Sequence, residues 1–235
     1  MLGVDRSAAL QYALPTLLPT LLPTVIAAIA ISVILHRWLV GTGYRLPDEA
    51  HLPRRRLAWF VPTVTVAAGA VAASLLALTA SPVAATGYAG FAAVLVVLAA
   101  IDLDVHRLPD GIQLPAYPAL GVILALASWH TGRWDSLVPA AIAAVLAFGS
   151  FLVLALIGSG MGYGDVKLAG LLGPLLGWVA WPLALYGLAA GIVIGGLVGA
   201  ALLVTRRAAR TTEFAYGPSL IAGALLTLAA APLLR

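Results

Sequence analysis

The longest run without charge decides what this chain is able to fold into. From Val166 to Val204 the only charged residue is Lys167. At about 1.5 Å of rise per helical residue, that run is roughly twice as long as a bilayer's hydrocarbon core is thick, about 30 Å, so it has to cross twice. Other nearly charge-free runs of about 18 residues or more repeat the pattern along the chain. Of the 235 residues, 62% are hydrophobic and only 9% are charged, against about 25% charged in an ordinary soluble protein. Backbone groups in lipid must be satisfied within helices or a closed barrel. The alternating strand patterns of a barrel are absent. The fold class is therefore all-α, a polytopic membrane protein with about eight transmembrane helices.

The expected spans are 25–40, 57–80, 83–101, 111–129 (containing Pro115 and Pro118), 137–157, two passes within 166–204 that turn between 173 and 182, and 214–234. Ahead of the first span, Pro15, Pro19 and Pro23 recur every four residues in a Leu-Pro-Thr repeat. Proline removes a backbone donor, which predicts a kinked or interfacial lead into the first helix. The amino terminus lacks a basic region followed by a small-residue cleavage site, so no removed signal peptide is expected. The chain divides into residues 1–57, an N-terminal span with a short basic loop, and 58–235, a membrane-embedded core.

The net charge of +4 does not point to nucleic acid, because the basic residues sit in short loops between apolar runs, as orientation signals do. If the Arg54–Arg55–Arg56 loop is cytoplasmic, the span count places 102–110, 158–167 and 205–213 on that side as well. Of the thirteen Lys and Arg residues, only Arg6, Arg133 and Arg235 then lie outside, which agrees with the positive-inside rule. With no cysteine in the chain, structural disulfides and Cys-based zinc sites are excluded.

Two acid-bearing segments stand out in a chain so short of charge. One is Ile101-Asp102-Leu103-Asp104-Val105-His106-Arg107-Leu108-Pro109-Asp110, and the other is Gly162-Tyr163-Gly164-Asp165-Val166-Lys167. Two spans intervene, an out-and-back pair, so Asp102 and Asp165 are expected at one membrane face. Glycines beside an acid let the backbone bend and approach a neighbour closely, and a helix opening at Asp165 places its carboxylate near the favourable end of a helix dipole. Asp102 is expected to close one helix and Pro109 to begin the next. Two carboxylates around one water do not both ionise cheaply, so one acts as base and the other as acid, and they titrate as a unit. Plainer roles compete with this one. Asp165 could be an N-cap and Asp102 an interfacial charge, while Asp104 and Asp110 fit interfacial or capping positions. Lys167 fits a headgroup anchor or a group that tunes the acids, and His106 and Arg107 read as ordinary loop charges. The glycines from 191 to 199 fit close helix packing.

These segments resemble motifs of the type IV prepilin peptidases. Gly162-Tyr163-Gly164-Asp165-Val166-Lys167-Leu168, with Gly173 and Gly177-Trp178 beyond, resembles that family's GxGD box. Asp102 followed by Pro109-Asp110 resembles its first catalytic segment, and Tyr216-Gly217-Pro218 its last motif, usually Phe-Gly-Pro. The resemblance covers roughly residues 95–230. It implies a polytopic aspartyl endopeptidase of the bacterial inner (cytoplasmic) membrane that removes the short basic leader of prepilins or pseudopilins at the cytoplasmic face. Asp102 and Asp165 would be its catalytic acids, with Asp104, Asp110, Gly162, Gly164 and Lys167 as supporting or substrate-binding positions. Peptide cleavage in that family needs no metal or organic cofactor. The partners implied are prepilin or pseudopilin substrates, membrane lipid, and a pilus or secretion assembly machinery, with no nucleic acid. Many members carry a large first loop with paired Cys-x-x-Cys motifs and methylate the new amino terminus. Here that loop is short, about 41–57, without cysteine, and methylation is not expected. Two alternatives stand beside this reading. A presenilin-like intramembrane protease would carry a Tyr-Asp box and a Pro-Ala-Leu box, neither of which is present. A small proton- or cation-coupled transporter using the acids as its ion site would be supported by an inverted repeat, which is not seen.

Overall fold

The computed structural model describes residues 6–41, 43–49, 51, 57–157, 161–205 and 215–234, with 6–18 and 20 described by their backbone alone. The expectations that rest on Arg54–Arg56, Gly158–Gly160, Arg206, Arg207, Arg210 and Glu213 fall outside these residues. Eight α-helices follow one another: α1 (Arg6–Val40), α2 (Phe60–Thr79), α3 (Pro82–Val105), α4 (Asp110–Thr131), α5 (Leu137–Leu156), α6 (Tyr163–Gly177), α7 (Trp181–Val204) and α8 (Gly217–Ala230). Short 3₁₀ turns at Pro47–Glu49, Trp134–Ser136 and Ala231–Leu233 complete the described secondary structure. Among the described residues, six helices are long and apolar enough to cross a membrane. The other two, α6 and α8, are 15 and 14 residues long. Helix α6 is buried along most of its length by its neighbours, so its shortness exposes little backbone to lipid.

Helix ends follow local chemistry. Ser81 caps α3, its side chain accepting the Ala84 N–H at 3.2 Å, with Pro82 at the first helical position, where a missing N–H costs nothing. Ala80, His106 and Gly132 close α2, α3 and α4 in left-handed backbone conformations, with φ of 51°, 51° and 71°.

Pro15, Pro19 and Pro23 lie within the first helix, which is continuous from Arg6 to Val40. A four-residue period keeps the three missing donors on one side of the helix. One expectation is corrected: Asp102 does not close α3. The helix continues to Val105, and the His106 N–H bonds back to the Asp102 carbonyl at 2.9 Å, so Asp102 lies one turn inside the helix.

Helices α3 and α6 form the core, since both are buried over most of their length. Glycines let α6 and α8 approach their neighbours: a Cβ on Gly173 would strike the Ala143 carbonyl of α5, and one on Gly191 would come within 2.7 Å of Leu220 Cα in α8. Of the glycines expected to pack helices, Gly191 and Gly195 do so, whereas Gly196 and Gly199 face open space. Polar contacts sort the helix ends into two sets. At one end of the bundle, Ser81 Oγ meets His130 Nδ1 at 3.1 Å. There Arg133 also donates to the carbonyls of Trp178 and Val179 at 3.3 and 3.1 Å. At the other end lie the last turn of α3 and the first turns of α4, α6 and α8, together with the segment after α1. The alternation of eight consecutive helices produces this sorting, and it brings both acid segments to one place.

Candidate active site

Asp102 is 5% exposed, although it lies only one turn from the end of its helix. Its Oδ2 accepts the backbone N–H of Gly217, the first residue of α8, at 3.1 Å. A Cβ on Gly217 would stand 2.8 Å from that oxygen and 3.3 Å from Leu108 Cδ1, so this contact requires glycine. Asp165 is 8% exposed and occupies the third position of α6. Its Oδ2 accepts the N–H of Gly162, which caps the helix. The side chain thus holds its own helix start in the manner of a capping box, and Gly162 takes the N-cap position considered for Asp165. A Cβ on Gly164 would meet Leu108 Cβ at 3.1 Å. Leu108 therefore touches the glycine beside Asp165 and the glycine bonded to Asp102, and it joins the two acid positions. The charge of Asp165 acts on Asp102 and on the Tyr216 hydroxyl.

The remaining acids of the two segments are neutralised. Asp104 is buried and its Oδ2 accepts from Tyr44 Oη at 2.8 Å and Arg45 Nε at 2.8 Å, with Arg45 Nη2 at 2.7 Å. Asp110 pairs with Lys167 Nζ at 2.6 Å, in a half-exposed setting. Among the described residues, Asp102 and Asp165 have no cationic partner. Of the four acids in these two segments, only Asp102 and Asp165 lack a paired charge among the described residues.

Arg107 is more than a loop charge. It donates from Nε to Glu49 Oε1 at 2.7 Å and from Nη2 to Glu49 Oε2 and the Tyr44 carbonyl, both at 3.0 Å. The segment 44–49 is strapped across the end of α3 by these bonds and by the Asp104 contacts. Burial and the bond to anionic Asp104 push the Tyr44 hydroxyl up to about 12. The Arg107 bond, opposed by burial and helped by the Leu46 N–H, holds Glu49 below the ordinary glutamate range. Both arginines gain basicity from their carboxylate partners.

The sequence reading did not identify Tyr44, Arg45, Glu49 or Gln113 as neighbours of the site, nor did it give Gly217 a role. The strap joins positions 58 to 63 residues apart, and no local pattern signals such pairs. Gln113 offered a signal, an amide set in the apolar stretch after Asp110. Among the described residues, no three His, Asp or Glu side chains gather in a way that could hold a metal ion.

Comparison with known proteins agrees with the motifs. The type IV leader peptidase family profile matches residues 89–200. A protein of Burkholderia pseudomallei named prepilin leader peptidase/N-methyltransferase is 36% identical over 178 residues, covering 71% of this chain and 53% of that protein. Proteins of the same name from Pseudomonas putida and Bacillus subtilis are 39% and 30% identical over 141 and 143 residues. These alignments cover 57% and 58% of this chain, and 46% and 52% of the relatives. The chain thus spans about half the length of the curated relatives it matches. No solved structure matches it.

Proposed function

The chain belongs to the type IV leader peptidase family, and on that premise we propose that it is an aspartyl endopeptidase. It would remove the short leader from prepilins or pseudopilins at the cytoplasmic face of a bacterial inner membrane. One observation carries this reading: of the four acids in the two segments, Asp102 and Asp165 alone have no cation beside them among the described residues, and each accepts a backbone amide at the start of a helix. An ion-paired carboxylate is a poor base, because its lone pairs and charge are already committed. Asp102 and Asp165 keep oxygens available for a water and a scissile carbonyl.

In the proposed reaction the ionised member of the pair takes a proton from water as the water oxygen attacks the peptide carbonyl. The protonated member gives its proton to the carbonyl oxygen, leaving a neutral gem-diol. A proton then moves to the amide nitrogen, the C–N bond breaks, and the second carboxyl recovers the proton of the collapsing diol. The pair ends as it began, carrying one proton. General acid–base help of this kind contributes roughly 10²–10⁴-fold in rate. Burial strengthens it, because less water competes for the charges. Asp104 and Asp110 enter as structural acids that hold the strap and the α4–α6 seam.

The relatives' name couples peptidase and N-methyltransferase. Our reading for this chain is the peptidase half, on the dyad alone. The test is incubation of the purified protein in detergent with a prepilin, followed by mass spectrometry of the product's amino terminus. A single new amino terminus after the basic leader, without added mass, supports the reading. An uncut prepilin, together with proton or cation flux when the protein is placed in liposomes, would transfer the acids to an ion-site role.

A further inference from the structure

Gln113 sits in the first turn of α4 and is completely buried. Its Nε2 donates to the carbonyl of Gly164 at 3.0 Å, the residue directly before Asp165. Reversing the amide would set two acceptor oxygens against each other, so only this orientation makes the bond. The other end of the amide is unusual: Gln113 Oε1 is the one buried side-chain nitrogen or oxygen among the described residues without a hydrogen-bond partner. A buried acceptor with nothing to accept costs stability. The Gly164 carbonyl also does not depend on Gln113, because its place in α6 gives it the ladder bond of the helix. An apolar side chain of similar length would therefore serve the fold as well as glutamine does, or better.

The neighbouring contacts show what the amide is attached to. On the same stretch of α4, Asp110 pairs with Lys167 Nζ, and Tyr117 Oη donates to the Lys167 carbonyl at 2.7 Å. Farther along, Ser128 accepts from Trp178 Nε1 at 2.8 Å. This seam fixes α6 to α4 along its length, and Gln113 is its only member on the Gly162–Asp165 turn itself. Helix α4 in turn follows Asp102 by way of Leu108, which lies against both Gly164 and Gly217.

We propose that Gln113 is a positioning residue for Asp165: it pins the Gly164 carbonyl to α4 and so sets where the Asp165 carboxyl lies relative to Asp102. The inference rests on the peptidase reading above. Displacement of a reacting group by about 1 Å can cost on the order of 10²-fold in rate, whereas binding of a long peptide substrate depends little on one such shift.

The experiment compares wild type, Q113M and Y117F in the same prepilin cleavage assay and the same thermal unfolding assay in detergent. Q113M is expected to unfold at or above the wild-type temperature, with kcat lowered about tenfold or more and KM unchanged. Y117F, which loses a bond of the same seam away from the turn, is expected to unfold at a lower temperature with wild-type kcat. Wild-type kcat in Q113M overturns the inference. So does a Q113M protein that fails to accumulate in the membrane or unfolds well below wild type, since glutamine would then serve the fold. A wild-type protein that cuts no prepilin overturns the peptidase reading, and this inference with it.

Discussion

Gly217 matters at the residue scale through the side chain it lacks. Its N–H reaches Asp102 Oδ2 at 3.1 Å, in space that a methyl group would fill. The variant Gly217→Ala is expected to insert normally yet cut prepilin about 10²-fold more slowly, as read by the rate of leader loss from a purified substrate. Arg45 and Asp104 act differently, as a pair whose side chains are only 7% and 3% exposed. Removing Arg45 takes its guanidinium away from a buried carboxylate, so Arg45→Ala is expected to lower stability by about 3–5 kcal/mol. Replacing both residues with leucine recovers most of that loss, since well-packed apolar groups often equal a buried ion pair. Thermal unfolding of the two variants in detergent checks both statements, and Asp104→Asn should affect cleavage far less than Asp102→Asn.

At the scale of elements, the strap over residues 44–49 is the piece that pH can loosen. Glu49 titrates below its ordinary value in the folded protein. Its contribution is therefore complete above the unfolded glutamate pKa, about 4.3, and is lost as pH falls through the lowered folded value. Tyr44 behaves in the opposite sense. Its contribution is whole below pH 10.0, its ordinary value, and is lost as pH rises toward about 12. Limited proteolysis is expected to spare the strap at neutral pH and to nick it in acid below the glutamate range. Cleavage that is equally fast at neutral and acid pH would contradict the Glu49–Arg107 clasp. The helices were legible in the sequence because long apolar runs in lipid have little choice but to be helical, and the turn before Trp181 fell inside its expected window. The strap was not legible, because its hydrogen bonds link residues some 60 positions apart. Nor was the last turn of α3, where tertiary burial carries the helix past an acid that looked like its end.

For the whole molecule, eight alternating helices put the starts of α4, α6 and α8 and the end of α3 on one side. The motifs and the parity of the spans led to the expectation of both acid segments at one end, while the burial of Asp102 and Asp165 and their backbone partners needed the packed bundle. The chain has no cysteine, so introduced ones report without background. Cysteines at Asp48 and Tyr163 are expected to label from the cytoplasm and one at Asp135 from the opposite side. Labelling of Asp48 and Tyr163 from different sides would remove the shared site. The most direct measurement is mass spectrometry of prepilin amino termini from membranes holding equal amounts of wild type, Asp102→Asn or Asp165→Asn. Leader removal is expected with wild type and, with each variant, a loss of cleavage of at least about 10³-fold. Processing at the wild-type rate by either variant would contradict the role of the two acids.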